Sequence, residues 1–139
     1  MSSVLFLCTG NSCRSQMAEA WGRSLFPDGW AVFSAGIEKH GLNPHMLTVM
    51  AEAGVDMSKH FSKTVDELPS DIQWDLVVTV CDRAATACPC YPGGKLIHIP
   101  FDDPPALAAG LPEAEALTIY RRVRDEIRAE IENLAKRLQ

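Results

Sequence analysis

Val4-Leu5-Phe6-Leu7-Cys8-Thr9-Gly10-Asn11-Ser12-Cys13-Arg14-Ser15 is the stretch whose reading decides the fold. Its first four residues form a short, continuous apolar run, closed by Cys-Thr-Gly-Asn. That pattern predicts a buried strand feeding a loop. From Ser15 the segment SQMAEAWGRSLF predicts a helix, with Met17, Ala18, Trp21 and Leu25 on its apolar face. A loop between a strand and a helix can turn its backbone N–H groups inward on an anion. The helix N-terminus adds partial positive charge. Arg14 adds a planar, permanently charged fork that grips two oxygens. Thr9, Gly10, Asn11, Ser12, Cys13 and Arg14 are therefore the expected oxyanion cradle, with Gly10 supplying the sharp turn. Cys8 stands at its mouth. Dipoles that hold an anion also stabilise a thiolate, so its pKa is expected below that of free cysteine, which suits a nucleophile beneath the atom it attacks. Ser15 is placed to donate a hydrogen bond to that thiolate or to help it leave.

Working outward, residues 30–35 alternate apolar and small side chains and predict a second strand, ended by Gly36. Asn43-Pro44 predicts a helix start, with Asn as N-cap and Pro at the first position, and Gly54 closes that helix. Thr64-Val65-Asp66-Glu67 reads as a capping box. Residues 75–80 (DLVVTV) predict a strand ending at Cys81, followed by a Pro/Gly/Cys-rich loop to Gly94 and a further strand over 95–99. Residues 101–112 read as a loop rich in Asp and Pro. Tyr120, Val123, Ile127, Ile131, Leu134 and Leu138 step by three or four and form the packing stripe of a long last helix. There are no repeats, linkers or low-complexity tracts. Strands alternating with helices imply an α/β fold, one domain over 1–139, with a mostly parallel sheet and helices on both faces. Ligands in such folds sit beyond the C-terminal ends of the strands, where strand order reverses. Cys8 and Cys81 each lie just past a strand end, so the two can meet at one site.

Composition narrows the function classes. The chain has 139 residues and a net charge of −5, with no basic run, which argues against general nucleic-acid binding. No stretch is apolar enough to span a bilayer, and MSSVLFLCTGNSC has neither the charged lead nor the apolar run of a signal peptide. A cytoplasmic location is expected, with an acidic monomer as the default. Five cysteines (Cys8, Cys13, Cys81, Cys88 and Cys90) are an odd number and a poor disulfide framework; in a reducing compartment they point to catalysis, redox chemistry or metal. Zinc would need spacing that Cys81, Cys88 and Cys90 lack: there is no C-x2-C and no second pair. His40, His45, His60 and His98 show no metal-ligand spacing and read as surface or satisfied core histidines, with His60 a candidate for a hydrogen bond near the loop. Trp21, Trp30 and Trp74 read as packing residues. No bound metal or cofactor is expected.

C-x5-R-S within the first fifteen residues resembles the low-molecular-weight tyrosine phosphatases and the thioredoxin-coupled arsenate reductases built on the same fold. CTGNSCRSQMAEAW, SAGIE, DLVVTVCD, FDDP and RRVRDEI resemble the arsenate reductase branch. The resemblance runs from the first strand to the final helix and implies a four-stranded parallel sheet with helices on both faces. It also implies the chemistry: arsenate reduced to arsenite, an arsenical-resistance and detoxification activity, with phosphate and sulfate as competing anions. In the family the Asp before Pro protonates the departing oxygen, which assigns the general acid to Asp103 of Asp102-Asp103-Pro104 and leaves Asp102 structural. The implied relay forms a Cys8–Cys81 disulfide, then a Cys81–Cys88 disulfide that thioredoxin reduces. Some family members bind potassium near the cysteine loop. Asn11, Glu19 and Ser34 match oxygen-bearing positions of that site, but Lys63 stands where an Asp is expected. An ammonium there can occupy the cation position, so little potassium stimulation is expected.

A phosphotyrosine or phosphomonoester hydrolase would use the same Cys8, Arg14 and Asp103. Cys81 with Cys88 distinguishes the two: hydrolysis needs one nucleophile and water, whereas reduction needs two electrons, which two thiols supply on becoming a disulfide. Pro105 also stands where the phosphatases usually place a tyrosine after Asp-Pro to hold an aromatic substrate. Weak phosphatase activity can coexist, because phosphate and arsenate share shape and charge. Cys90 in Cys88-Pro89-Cys90 departs from the family pattern and opens a second resolving thiol, and glutaredoxin with glutathione as reductant. A non-enzymatic oxyanion or arsenite sensor ranks last, having no DNA-binding feature.

Overall fold

The computed structural model describes residues 2–80 and 94–138. Cys81, Cys88 and Cys90, with the rest of the expected loop up to residue 93, lie outside the described residues.

The opening apolar run forms β1 (Ser2–Cys8). Val4, Leu5, Phe6 and Leu7 are all fully buried. Alternate residues of a strand point to opposite faces, so both faces of the sheet are covered here. Each of these side chains contributes about 1.5–3 kcal/mol by leaving water. β2 (Trp30–Gly36), β3 (Leu76–Thr79) and β4 (Lys95–His98) complete a four-stranded sheet in the order β2-β1-β3-β4. All three pairings are parallel. The expected α/β architecture is the observed one, and the chain switches sides of β1 between β2 and β3. That switch places the C-terminal ends of β1 and β3 side by side, with Leu7 opposite Thr79.

Among the described residues four helices flank the sheet: α1 (Arg14–Leu25), α2 (Pro44–Glu52), α3 (Pro104–Ala108) and α4 (Glu113–Arg137). Asn43 caps α2 as expected, its Oδ1 accepting from the Met46 N–H at 3.1 Å, and Gly54 follows the helix at φ 80°. The capping box at Thr64 forms, but it opens only the single 3₁₀ turn Val65–Glu67. On α4 the stripe Tyr120, Val123, Ile127, Ile131 and Leu134 is buried; Leu138 falls at the C-cap instead and is half-buried. The segment 101–112 is not wholly a loop, since α3 lies within it. Asp103 occupies the N-cap and Pro104 the first position, where a missing N–H costs nothing.

Candidate active site

The loop from Cys8 to Cys13 joins β1 to α1. Cys13 stands at the N-cap of α1 and uses no side-chain cap, and the first turn holds no acidic residue. The exposed N–H groups and the dipole of that turn are thus left for an anion. Cys8, 4% exposed, forms one wall of a cleft together with Thr9, Gly10, Ser12, Cys13 and Arg14. The opposite wall is Phe101, Asp102, Asp103 and Pro105, and His40 closes one side.

The loop is held open by its neighbour in sequence space, the segment after β2. The N–H groups of Ile37, Glu38, His40 and Asn43 donate to the carbonyls of Cys8, Thr9, Gly10 and Ser12 at 3.1, 2.9, 3.0 and 2.9 Å. These four bonds fix the main chain of the loop from the side of β2. Close approach is possible because residue 36 is glycine: a Cβ there would overlap Glu38 O and stand 2.8 Å from Thr9 O and 2.9 Å from Asn11 N.

The sharp turn expected at Gly10 falls instead at Asn11, which adopts φ 49°. A non-glycine residue in the left-handed region needs local support, and Asn11 has it. Its Nδ2 donates to Ser15 Oγ at 2.8 Å and to Ser34 Oγ at 3.0 Å. Its Oδ1 accepts from Gln16 Nε2 at 2.8 Å and from the Lys63 N–H at 3.0 Å. Ser15 Oγ, having accepted from Asn11, retains its own proton to donate. Asn11, Ser15, Gln16 and Ser34 are all fully buried. Sequence reading missed Gln16. A signal existed, since Gln16 and Glu19 are polar residues among Met17, Ala18, Ala20 and Trp21 on one short helix.

Below this hub lies the expected cation region. Glu19, 4% exposed at its side chain, receives Ser34 Oγ at 2.6 Å and Arg23 Nε at 2.9 Å. Lys63 Nζ stands 3.6 Å from Glu19 Oε1 and donates to Phe61 O at 3.1 Å. Burial holds the Lys63 ammonium below the usual lysine range, opposed by Glu19. His60 Nδ1 is 2.9 Å from Gln16 Oε1 and 3.6 Å from Glu19 Oε2, the loop-side contact expected for it. Burial also lowers its pKa.

Arg14 and Asp103 meet across the cleft, Nη2 to Oδ1 at 3.5 Å, and Arg14 Nη1 donates to Phe101 O at 3.1 Å. Asp103 spends no side-chain bond on capping α3, so its carboxyl faces the cleft. Asp102 is turned away to Arg122 of α4 at 3.1 Å. The two neighbouring carboxylates are thereby sorted into one facing the site and one tethering the loop. Burial pushes the Cys13 thiol up to about 12, which favours its unreactive protonated form. Among the described residues no cluster of three or more His, Cys, Asp or Glu could hold a metal ion, and no helix is long and apolar enough to cross a membrane.

A cysteine, a looped anion cradle, an arginine and an opposed carboxyl define a phosphatase-type oxyanion site. The chain belongs to the low molecular weight phosphotyrosine protein phosphatase family, whose profile matches residues 3–139. Within that family it is 50% identical over 134 residues to an arsenate reductase of Halalkalibacterium halodurans, covering 96% of this chain and 94% of the relative. A solved arsenate reductase in a phosphate-binding state superposes with a TM-score of 0.80 at 28% identity, covering all of both chains. A thioredoxin-dependent arsenate reductase of Corynebacterium glutamicum gives a TM-score of 0.73 at 27% identity, covering all of this chain and 62% of that one.

Proposed function

We propose that the protein is an arsenate reductase that turns two cysteine thiols into a disulfide for each arsenate reduced, and that thioredoxin restores the thiols. The observation that carries this is the cleft in which Cys8, Arg14 and Asp103 converge, in a chain that also carries Cys81 and Cys88.

Arsenate enters the loop, its oxygens taken by backbone N–H groups and the Arg14 fork. The Cys8 thiolate attacks arsenic, Asp103 supplies a proton, and one oxygen leaves as water. Ser15 donates to the sulfur. Cys81 then attacks Cys8 Sγ. The sulfur–arsenic bond breaks, its electron pair stays with arsenic, and arsenite departs from a Cys8–Cys81 disulfide. Cys88 attacks Cys81, frees Cys8, and leaves a Cys81–Cys88 disulfide for thioredoxin. Phosphate, of the same shape and charge, competes for the cradle. The reaction is placed in the cytoplasm, where thiols are kept reduced.

A single turnover tests the relay. Fully reduced protein given excess arsenate without reductant should lose two thiols, and peptide mapping should join Cys81 to Cys88. Cys8→Ser should lose none. Cys88→Ser should stop at a Cys8–Cys81 disulfide. A bond from Cys81 to Cys90 would reassign the resolving thiol, and unchanged thiols in the unsubstituted protein would contradict the proposal.

A further inference from the structure

His40 was not singled out by sequence, yet it stands in the wall of the oxyanion cleft. Its ring lies against Gly10: a Cβ built there would overlap His40 Nδ1 and stand 2.8 Å from Cγ. The glycine therefore makes room for this ring. The main chain of His40 is fixed to the loop by its N–H, 3.0 Å from Gly10 O. The other side of the ring is held by Glu38, whose Oε2 is 2.8 Å from Nε2. In a neutral imidazole a carboxylate partner keeps the proton on the nitrogen it faces and leaves the lone pair on the other. Glu38 thus leaves Nδ1, the atom nearest Gly10, as an acceptor.

Loop N–H groups and the Arg14 guanidinium carry no acceptor, so they treat all tetrahedral oxyanions alike. The anions differ in one respect: near neutral pH arsenate and phosphate keep a hydrogen on one oxygen, whereas sulfate has none. We propose that His40 is a specificity-determining residue, whose Nδ1 accepts the hydrogen of the protonated oxygen and so favours hydrogen arsenate and hydrogen phosphate over sulfate. Sulfate brings only lone pairs to that nitrogen. On the facing wall Asp103 Oδ1 is paired with Arg14 Nη2 at 3.5 Å, and Asp102 is tied to Arg122. The arsenate half of this inference rests on the reductase reading, and the phosphate-against-sulfate half does not.

The test is calorimetric titration of the intact reduced protein with phosphate and with sulfate at about pH 8. Arsenate turnover with sulfate as competitor is measured in parallel. Loss of one hydrogen bond predicts that His40→Phe lowers the phosphate-over-sulfate affinity ratio about fivefold. His40→Asn, whose amide oxygen accepts near the Nδ1 position, should keep most of it. In turnover, sulfate should inhibit His40→Phe more strongly relative to arsenate. A ratio unchanged in His40→Phe, including one where both affinities fall equally, would overturn the proposal. Unsubstituted protein that binds phosphate but never turns over arsenate would overturn the reductase reading alone, and the affinity ratio would still judge His40.

Discussion

Replacing Lys63 by Met should destabilise the fold more than an ordinary surface lysine would. Lys63 and Glu19 side chains are 8% and 4% exposed, with Nζ 3.6 Å from Oε1. At an effective dielectric of about 20, two charges at that distance attract by roughly 4–5 kcal/mol. Desolvation of the ammonium offsets part of this and vanishes with the substitution. Glu19 also keeps Arg23 at 2.9 Å and Ser34 at 2.6 Å. The net loss is then about 2 kcal/mol, or on the order of 5–8 °C in melting temperature for a domain of this size. The ammonium also bears on ions. If it occupies the cation position, the unsubstituted protein melts at the same temperature in potassium and sodium chloride. Lys63→Asp replaces the cation by a carboxylate beside Glu19, so it should melt low in sodium and recover several degrees in potassium. Differential scanning calorimetry of the three proteins in the two salts reads both effects. A clear rise of the unsubstituted protein in potassium, or a Lys63→Met protein as stable as the parent, would rule out this role for Lys63.

Three further outcomes follow from the same geometry. Asn11→Ala removes four hydrogen bonds and leaves buried partners unpaired, and should cost about 3 kcal/mol or more by chemical denaturation. Asp103→Asn should lower kcat on the order of 100-fold or more, whereas Asp102→Asn, losing one exposed pair with Arg122, should lower it no more than several-fold; steady-state kinetics separates them. His60 is held below its ordinary pKa by burial, so the unfolded chain binds its proton first. Stability should therefore fall as pH drops below about 6.5, and His60→Gln should flatten that slope in denaturation midpoints measured across the acid range.

The outline of the molecule was legible because its signals are local. A four-residue apolar run between polar residues can only be a buried strand here, and Asn43-Pro44 is a helix start wherever it folds. The same Asx-Pro pair at Asp103-Pro104 starts α3, but its setting, a stretch dense in Pro and Asp, reads as loop. The cradle was legible for the same reason, since Cys8, Arg14 and Gly10 are contiguous. What holds it was not. The strap from Ile37 to Asn43 acts through backbone N–H groups, which carry no sequence signature. Gly10 was given the turn that Asn11 makes, because a glycine is the usual occupant of the left-handed region and only the surrounding Ser15, Gln16, Ser34 and Lys63 let an asparagine take it. His40 lies 26 residues from Arg14 in sequence (40 less 14), and only the pairing of β2 with β1 brings it to the cleft.

On the proposed function, this oxyanion site reduces its substrate by way of cysteine thiols. Arsenate-dependent NADPH oxidation by the purified protein, coupled to thioredoxin and thioredoxin reductase, tests it most directly, with a glutaredoxin–glutathione set alongside and Cys81→Ser as control. Turnover with thioredoxin that vanishes in Cys81→Ser is expected. No turnover with either donor, alongside aryl phosphate hydrolysis that survives Cys81→Ser, would contradict it and make the protein a phosphatase.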